Sequence, residues 1–323
     1  MQSPEPQPVA RIVILATGGT IAGTAATATD SLGYTAAQLG IAQLLAAVPA
    51  LTSQPIEAEQ VAQIDSKDMG MEVWRSLTRR VVHHLARPEV SGVVVTHGTD
   101  TLEETAYLLQ RVLAPSKPVV LTGAMRPATA VQADGPQNLL DAVALAREPG
   151  AAGVCVVFAG SVFGAFDVRK RHTQRLDAFG AGDEGAIALI EGGGVRRLRA
   201  WPAGLPLGIE VLERPEPWVE IVVSHAGASG AVVEALHAQG VDGLVVAGTG
   251  NGSLHHALEA ALRTAQAAGI PVQRCTRVAD GAVLPTGHDA LPISDARTPA
   301  QARIELMLTL MARLMPVRLS APA

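Results

Sequence analysis

Short apolar runs recur along the chain, and segments with helical spacing of apolar residues separate them. Apolar runs without polar alternation are typical of parallel strands that are covered on both faces. The predicted strands cover 11–16, 92–96, 118–122, 153–158, 221–224 and 243–247, and the predicted helices cover 39–48, 71–84, 102–113, 136–146, 230–239, 253–268 and 299–314. The alternation of strand and helix predicts an α/β fold with a mostly parallel sheet and right-handed crossovers.

The alternation stops between Gly192 and Trp218, where the chain is rich in glycine and proline. Such a stretch is typical of a connection between domains. We therefore expect a larger N-terminal catalytic α/β domain over 1–194, a linker over 195–217 and a smaller C-terminal α/β domain over 218–323.

Composition excludes several classes of protein. The 323 residues are 48 % hydrophobic and 17 % charged, which is enough apolar material for a substantial core. The net charge is −5, so a nucleic-acid partner is not expected. No apolar run approaches the ~18 residues of a membrane span. Residues 1–10 are polar and lack the basic start and apolar stretch of a secretory signal, which predicts a cytoplasmic protein.

Cysteine and histidine give no sign of a metal or a disulfide. Cys155 lies in an apolar run and Cys275 is distant in sequence, so two inert thiols are expected. The histidine pairs 83–84 and 255–256 are adjacent in sequence, and neighbours at i and i+1 diverge on a helix. We expect no metal site.

Ligands of open α/β sheets bind in the loops after the strands, and three such loops carry polar side chains. The first contains Thr17, Gly18, Gly19 and Thr20, without the spacing of a dinucleotide loop or the lysine of a phosphate-binding loop. The spacing alone favours a structural glycine turn over a catalytic one.

The other two loops carry Thr99–Asp100 and Lys170. Taken separately, Thr99 and Asp100 suit a helix cap as well as a functional site, and Lys170 suits a solvated surface position. Taken together, they offer a relay, because a hydroxyl becomes a nucleophile only beside a base, and a lysine with a lowered pKa is such a base. The spacing leaves both interpretations open.

Several motifs nevertheless resemble those of bacterial-type L-asparaginases. Segment 14–23 reads Ile-Leu-Ala-Thr-Gly-Gly-Thr-Ile-Ala-Gly and is similar to the first family signature. Segment 94–107 reads Val-Val-Thr-His-Gly-Thr-Asp-Thr-Leu-Glu-Glu-Thr-Ala-Tyr and is similar to the second. Further matches lie at 122–127, 133–136 and 248–252, in the family's order. The resemblance implies two α/β domains and hydrolysis of L-asparagine to L-aspartate and ammonia, without a cofactor.

The resemblance also assigns catalytic roles. Thr20 matches the nucleophile that forms an acyl-enzyme, and Tyr34 matches the tyrosine of the mobile loop beside it. Thr99 would position or activate the deacylating water, with Lys170 as its base. Asp100 would assist this pair and bind the α-ammonium of the substrate. The backbone N–H groups of Thr20 and Thr99 would stabilise the oxyanion.

Further matches concern substrate binding. Ser66 matches the serine that holds the α-carboxylate, and the Ala124 carbonyl would accept a hydrogen bond from the leaving amide. Lys67 departs from the family, because many relatives have a glutamine there that binds the α-ammonium. A lysine cannot accept a hydrogen bond. It would turn toward the carboxylate or leave the pocket.

In relatives, the C-terminal domain lends Asn and Glu side chains to a neighbouring subunit, in a homotetramer built from two intimate dimers. Asn251 matches the asparagine. No glutamate occurs between Gly281 and Asp295. Asp280, Asp289 and Asp295 are alternatives for the missing carboxylate.

Two other functions compete with an asparaginase. A glutaminase-asparaginase that also takes L-glutamine is the nearer one, because one methylene discriminates by only ~1–3 kcal/mol in a pocket. A non-catalytic module that binds an amino acid or a nucleotide is the second. That module would not need a lysine beside Thr99 and Asp100.

Overall fold

The computed structural model describes residues 10–30, 33–287 and 291–313. The described residues form two compact units that divide between Pro206 and Leu207, inside the stretch 195–217. Three features discussed above lie outside the described residues: the first nine residues, Asp289 and the predicted helix end at Leu314.

The first unit is built on one large sheet, and the described residues give it eight strands in the order β10-β9-β6-β5-β4-β3-β1-β2. The five neighbouring strands β2, β1, β3, β4 and β5 are parallel. Strands β6, β9 and β10 extend the sheet beyond β5 in antiparallel pairs. This confirms the predicted mostly parallel α/β fold. The strands of the unit are β1 (Arg11–Gly18), β2 (Ile56–Ile64), β3 (Val90–Thr96), β4 (Val119–Thr122), β5 (Val154–Phe158), β6 (Ser161–Gly164), β7 (Arg169–Lys170), β8 (Phe179–Gly180), β9 (Ala188–Glu191) and β10 (Gly194–Arg197).

Helices flank this sheet and bury its apolar strands. They are α1 (Ile41–Ala46), α2 (Pro49–Thr52), α3 (Met71–Leu85), α4 (Leu102–Leu113) and α5 (Gly135–Arg147). Ile12 and Ile14 of β1 belong to one core cluster with Val120 of β4 and Leu139 of α5, and all four are at most 1 % exposed. Burying each such side chain contributes about 1.5–3 kcal/mol. The core therefore fixes the strands, and the loops of Thr20 and Thr99 follow the carboxyl ends of β1 and β3. Lys170, in contrast, lies beyond the antiparallel strand β6 and not in the loop directly after β5.

Several elements of this sheet differ from the sequence prediction, and strand β6 is one that was not predicted. Strand β2 alternates polar and apolar residues and is partly exposed at the sheet edge, so it lacks a continuous apolar run. The sequence predicts that the glycine- and proline-rich connection starts at Gly192. In the structure, Gly192 and Gly193 lie before that connection. They form the two-residue turn of the β9–β10 hairpin, with φ of 58° and 81°. Positive φ at both central residues is what a tight hairpin turn requires, and glycine supplies it without strain.

The second unit has a smaller parallel sheet of order β11-β12-β13. Val222, Leu244, Leu258 and Leu262 form its core. Strand β13 was not predicted, because Gln273 and Arg274 interrupt its apolar residues. The elements are β11 (Val219–Val223), α6 (Ala231–Ala238), β12 (Gly243–Gly248), α7 (His256–Ala267), β13 (Val272–Thr276) and α8 (Pro299–Arg313).

Cys155 on β5 and Cys275 on β13 are buried and free. Burial raises the pKa of each thiol to about 12, so neither forms a thiolate near neutral pH. Among the residues that the structure describes, no helix has the length and apolar character needed to cross a membrane.

Candidate active site

The loops after β1 and β3 touch at two glycines. A Cβ on Gly19 would overlap the backbone of Gly98, and Gly19 has a φ of 81°. A Cβ on Gly98 would lie 2.5 Å from the Oγ of Ser66, in the loop after β2. The glycines of this turn therefore allow the backbones of the two loops to approach closely. The turn also brings three loops with hydroxyl side chains within contact distance at one sheet edge.

Thr20 begins a short 3-10 helix, Thr20–Ala22, and is 7 % exposed. Its Oγ1 lies 2.7 Å from the Oη of Tyr34, and either oxygen can be the donor. Tyr34 is held in place by its neighbour Thr35, which exchanges two backbone hydrogen bonds of 2.9 Å with Thr24. The structure thus joins the expected nucleophile to the tyrosine named beside it.

The loop between Thr24 and Tyr34 is tied to the segment that follows β4. The Ala128 N–H donates to the Gly23 carbonyl at 3.0 Å, and the Val131 N–H donates to the Ala28 carbonyl at 3.1 Å. The Ala25 N–H also donates to the Thr129 hydroxyl at 2.9 Å. These contacts hold the described part of the loop against residues 128–131.

Thr99, Asp100 and Lys170 form a second cluster. The Lys170 Nζ donates to the Thr99 Oγ1 at 2.9 Å and to the Asp100 Oδ1 at 2.6 Å. Thr99 is 5 % exposed, whereas the Asp100 side chain is 56 % exposed and that of Lys170 is 22 % exposed. The cluster therefore runs from a buried hydroxyl to a carboxylate that solvent or a ligand can reach.

Glu103 fixes the backbone of Lys170. Its Oε2 accepts a hydrogen bond of 2.7 Å from the Lys170 N–H. Lys170 itself lies on β7, which pairs with β8. The sequence placed Glu103 only in the first turn of a helix, and no local signal linked it to a residue 67 positions away.

Ser66 is 2 % exposed and lies in the short 3-10 helix Ser66–Asp68 after β2. Its Oγ accepts a hydrogen bond of 3.2 Å from the Asp100 N–H, and its carbonyl accepts one of 2.8 Å from the Thr101 hydroxyl. The structure thus brings Ser66 to the loop of Thr99 and Asp100.

The Lys67 ammonium lies at the surface and forms an ion pair with Asp68. The Lys67 side chain is 61 % exposed. Its hydrogen bond to Asp68 raises the pKa of the ammonium above the ordinary value. Lys67 is therefore partnered by a residue that the sequence analysis did not single out.

His97 is a buried residue of this edge that the sequence analysis missed. Its Nδ1 lies 2.7 Å from the Gly98 carbonyl oxygen and its Nε2 lies 2.9 Å from the Thr105 hydroxyl. The Thr105 hydroxyl also accepts a hydrogen bond of 2.8 Å from the Trp74 indole. Burial lowers the pKa of His97 to about 4, so the ring is neutral near pH 7.

Ala124 is fully buried in the turn after β4, next to the loop of Thr99. A Cβ on the preceding Gly123 would lie 3.3 Å from the Thr99 Cγ2. This turn therefore borders the second cluster, as the expected role of Ala124 requires.

Asn251 lies in the second unit and is bound within it. Its Nδ2 donates to the Leu284 carbonyl at 2.9 Å, and its Oδ1 accepts from the Leu284 N–H at 2.7 Å. Both ends of the amide thus hold the loop 281–287. Asp280 and Asp295 also lie in this unit, whereas Asp289 lies outside the described residues.

Comparisons with known proteins agree with this arrangement. Residues 11–202 match the family model described as Asparaginase, N-terminal, and residues 218–319 match the Glutaminase/Asparaginase C-terminal domain. The chain is 39 % identical to L-asparaginase 2 of Escherichia coli (strain K12), over 93 % of this chain and 88 % of that protein. It is 37 % identical to the glutaminase-asparaginase of Pseudomonas fluorescens biotype A, over 94 % and 86 %.

A solved structure shares the fold. The crystal structure of a probable cytoplasmic L-asparaginase from Campylobacter jejuni superposes with a TM-score of 0.87 at 38 % identity, and the match covers 93 % of this chain and 95 % of that chain. The two family models together cover residues 11–202 and 218–319. The chain therefore belongs to the bacterial-type L-asparaginase family, the asparaginase/glutaminase family of enzymes.

Proposed function

We propose that this protein hydrolyses L-asparagine to L-aspartate and ammonia through a covalent intermediate on Thr20. One observation carries the proposal. Two buried threonine hydroxyls lie at one sheet edge, and each contacts a different side chain that can act as an acid or a base. The distances are 2.7 Å for Thr20–Tyr34 and 2.9 Å for Thr99–Lys170. Two such pairs suit a reaction in which an acyl group is first formed and then removed by water.

In the first step, the Thr20 oxygen attacks the side-chain amide carbon and forms the new ester bond. Tyr34 receives the hydroxyl proton and passes it to the amide nitrogen, so the C–N bond breaks and ammonia leaves. The N–H groups of Thr20 and Thr99 stabilise the oxyanion. Thr20 is the first residue of its 3-10 helix, and an N–H at a helix start has no partner within the helix.

In the second step, water attacks the ester and releases L-aspartate. The Thr99 hydroxyl positions the water, and Lys170 serves as the base that takes the proton that water gives up. That proton returns through the cluster to the Thr20 oxygen as the ester bond breaks. Asp100 stabilises the Lys170 ammonium while it carries the charge, at the observed distance of 2.6 Å.

The same loops supply the substrate contacts that we propose. The Ser66 hydroxyl binds the α-carboxylate, and the exposed carboxylate of Asp100 binds the α-ammonium. The Ala124 carbonyl accepts from the leaving amide. If Lys67 takes part, it does so as a donor to the α-carboxylate, because an ammonium has no acceptor site.

A glutaminase-asparaginase is the second candidate. A relative with that name is 37 % identical to this chain, and L-glutamine differs from L-asparagine by one methylene. A pocket discriminates against one methylene by only ~1–3 kcal/mol, so activity on both amides is compatible with the site.

We also propose that the protein acts in the cytoplasm as a homotetramer of two intimate dimers, with Asn251 serving a neighbouring subunit's site. The structural relative from Campylobacter jejuni is described as a probable cytoplasmic L-asparaginase, whereas a Haemophilus influenzae relative, 37 % identical, is described as a probable periplasmic L-asparaginase. Location therefore remains a proposal.

Ammonia release from L-asparagine, L-glutamine and their D-isomers tests the activity. We expect the wild-type protein to release ammonia from L-asparagine and the Thr20→Ala variant to release almost none. Thr52→Ala is a matched control, because its hydroxyl donates to the Pro49 carbonyl on α2 and, among the described residues, bonds to none of the site. A wild-type protein that hydrolyses none of these amides would contradict the assignment. A fully active Thr20→Ala variant would contradict the nucleophile.

A further inference from the structure

Asp134 and Asn138, at the start of α5, bind the turn that follows β4. The Asp134 carboxylate accepts from the Met125 N–H at 2.9 Å and from the Arg126 N–H at 3.0 Å. Asn138 donates from Nδ2 to the Gly123 carbonyl at 3.0 Å and to the Asp134 Oδ2 at 3.2 Å. The two side chains thus fix the backbone of this turn on both sides of Ala124.

The turn is also tied to the next strand. The Asn138 Oδ1 accepts a hydrogen bond of 3.1 Å from the Ala159 N–H, just beyond β5. Asn138 is 2 % exposed, and its bond to the Gly123 carbonyl is shielded from water. Because buried polar groups are costly to leave unpaired, the arrangement holds one geometry of the turn.

This turn lies beside both threonines. A Cβ on Gly123 would lie 3.3 Å from the Thr99 Cγ2, and a Cβ on Gly135 would lie 2.8 Å from Ile21, the residue after Thr20. The same position on Gly135 would lie 3.5 Å from the Ala124 Cβ. A small shift of the turn would therefore change the wall of the site between Thr20 and Thr99.

We propose that Asp134 and Asn138 are positioning residues that hold the backbone of this turn to accept an N–H of the leaving amide. The inference rests on the proposed function and goes beyond it, since it assigns a role to the Asp134 motif that the two-threonine mechanism does not use. Neither residue touches the reacting atoms. They act through the Ala124 carbonyl.

The chemistry of the leaving group gives a specific test. The leaving nitrogen of L-asparagine carries N–H groups that a carbonyl oxygen can accept. The leaving oxygen of L-aspartate β-methyl ester carries no hydrogen when the C–O bond begins to break. A misplaced carbonyl should therefore slow cleavage of the amide and leave cleavage of the ester nearly unchanged.

The experiment measures kcat/KM for both substrates in Asp134→Asn, Asn138→Ala and the wild type, because kcat/KM reports the steps up to acylation. We expect the variants to lose about tenfold on the amide and less than about twofold on the ester, as for a displaced hydrogen-bonding group. Gln137→Ala is the control, since Gln137 lies between these residues on α5 and bonds only to Asp141 among the contacts described.

Equal losses on the two substrates would mean a merely structural role and would overturn the inference, as would no loss on either. If Asn138→Ala does not fold, the isosteric Asp134→Asn variant decides alone. A wild-type protein that does not cleave L-asparagine would contradict the proposed function, and the inference with it, before any variant is measured.

Discussion

Thr20 and Thr99 are the same residue type, and their neighbours give them different chemistry. Thr20 contacts a phenol, whereas Thr99 contacts an ammonium that also binds a carboxylate. The motifs predicted these residues from the sequence. They did not predict Glu103 or His97 as supports, because a hydrogen bond between distant loops leaves no periodic or local signal.

The Lys67–Asp68 ion pair is another contact that the sequence did not predict. The sequence showed that a lysine replaces a glutamine common in relatives, but not where the ammonium lies. The structure places it at the surface, in an ion pair with the Asp68 carboxylate.

Replacing Lys170 by methionine should slow turnover by several orders of magnitude, because a positioned general base contributes ~10²–10⁴-fold. Binding of L-aspartate should change little, since Lys170 contacts Thr99 and Asp100 and is not a proposed substrate ligand. Steady-state kinetics and calorimetric titration measure the two effects. Lys117→Met is the control, because that ammonium binds the carbonyls of Leu85 and Arg87. Weaker binding with unchanged turnover would contradict the relay.

His97 should make the folded state less stable in acid. Its pKa is about 4 when folded and near 6.5 when unfolded, so the unfolded state binds the extra proton between these values. Stability is therefore retained above pH 6.5 and lost as the pH falls toward 4, by about 3 kcal/mol. In urea unfolding, the gap between wild type and His97→Gln should shrink as the pH falls.

A control for this titration is His237→Gln, since His237 is exposed on α6. This variant should follow the pH dependence of the wild type. A constant gap between wild type and His97→Gln from pH 7 to pH 4 would contradict the neutral, buried state of His97.

At the scale of elements, the sequence predicted the strands that are buried on both faces. It missed β2, β6, β13 and the β9–β10 hairpin. An edge strand carries polar residues, and a glycine pair that forms a hairpin turn has the same composition as a linker. Tertiary contacts determine whether these segments form strands, and the local sequence pattern does not show those contacts.

The close approach of the Gly98 loop to the Ser66 loop can be tested by adding one methyl group. In Gly98→Ala, the new Cβ would lie 2.5 Å from the Ser66 Oγ and 2.7 Å from the Ser66 Cβ, so the serine loop must move. We expect KM for L-asparagine to rise about tenfold or more, because misplacing a binding group by ~1 Å is costly. Gly70→Ala is the matched control, since a Cβ there meets nothing within 4 Å and φ is negative. Equal KM values in the two variants would contradict the proposed role of Ser66.

At the scale of the whole molecule, the two units have separate cores, which the composition of the chain anticipated. The sequence could not show how Asn251 is bound, because its partner Leu284 lies 33 residues away. Its amide binds both the carbonyl and the N–H of Leu284 and so holds the loop 281–287.

The proposed homotetramer predicts the mass of the protein in solution and a dependence of activity on concentration. Light scattering after gel filtration should give four times the mass of the chain, and Asn251→Ala should lower asparaginase activity by loosening the loop. Activity per chain should also fall on dilution to concentrations at which the assembly dissociates. A fully active monomer would contradict the shared site.

The most direct test of the central claim is to identify the residue that carries the acyl group. Lys170→Met should still form the ester but should hydrolyse it slowly. After brief mixing with L-asparagine and acid quenching, mass spectrometry should find one aspartyl group on the peptide that contains Thr20, and none when Thr20→Ala is added. An aspartyl group on the peptide that contains Thr99 would contradict the account.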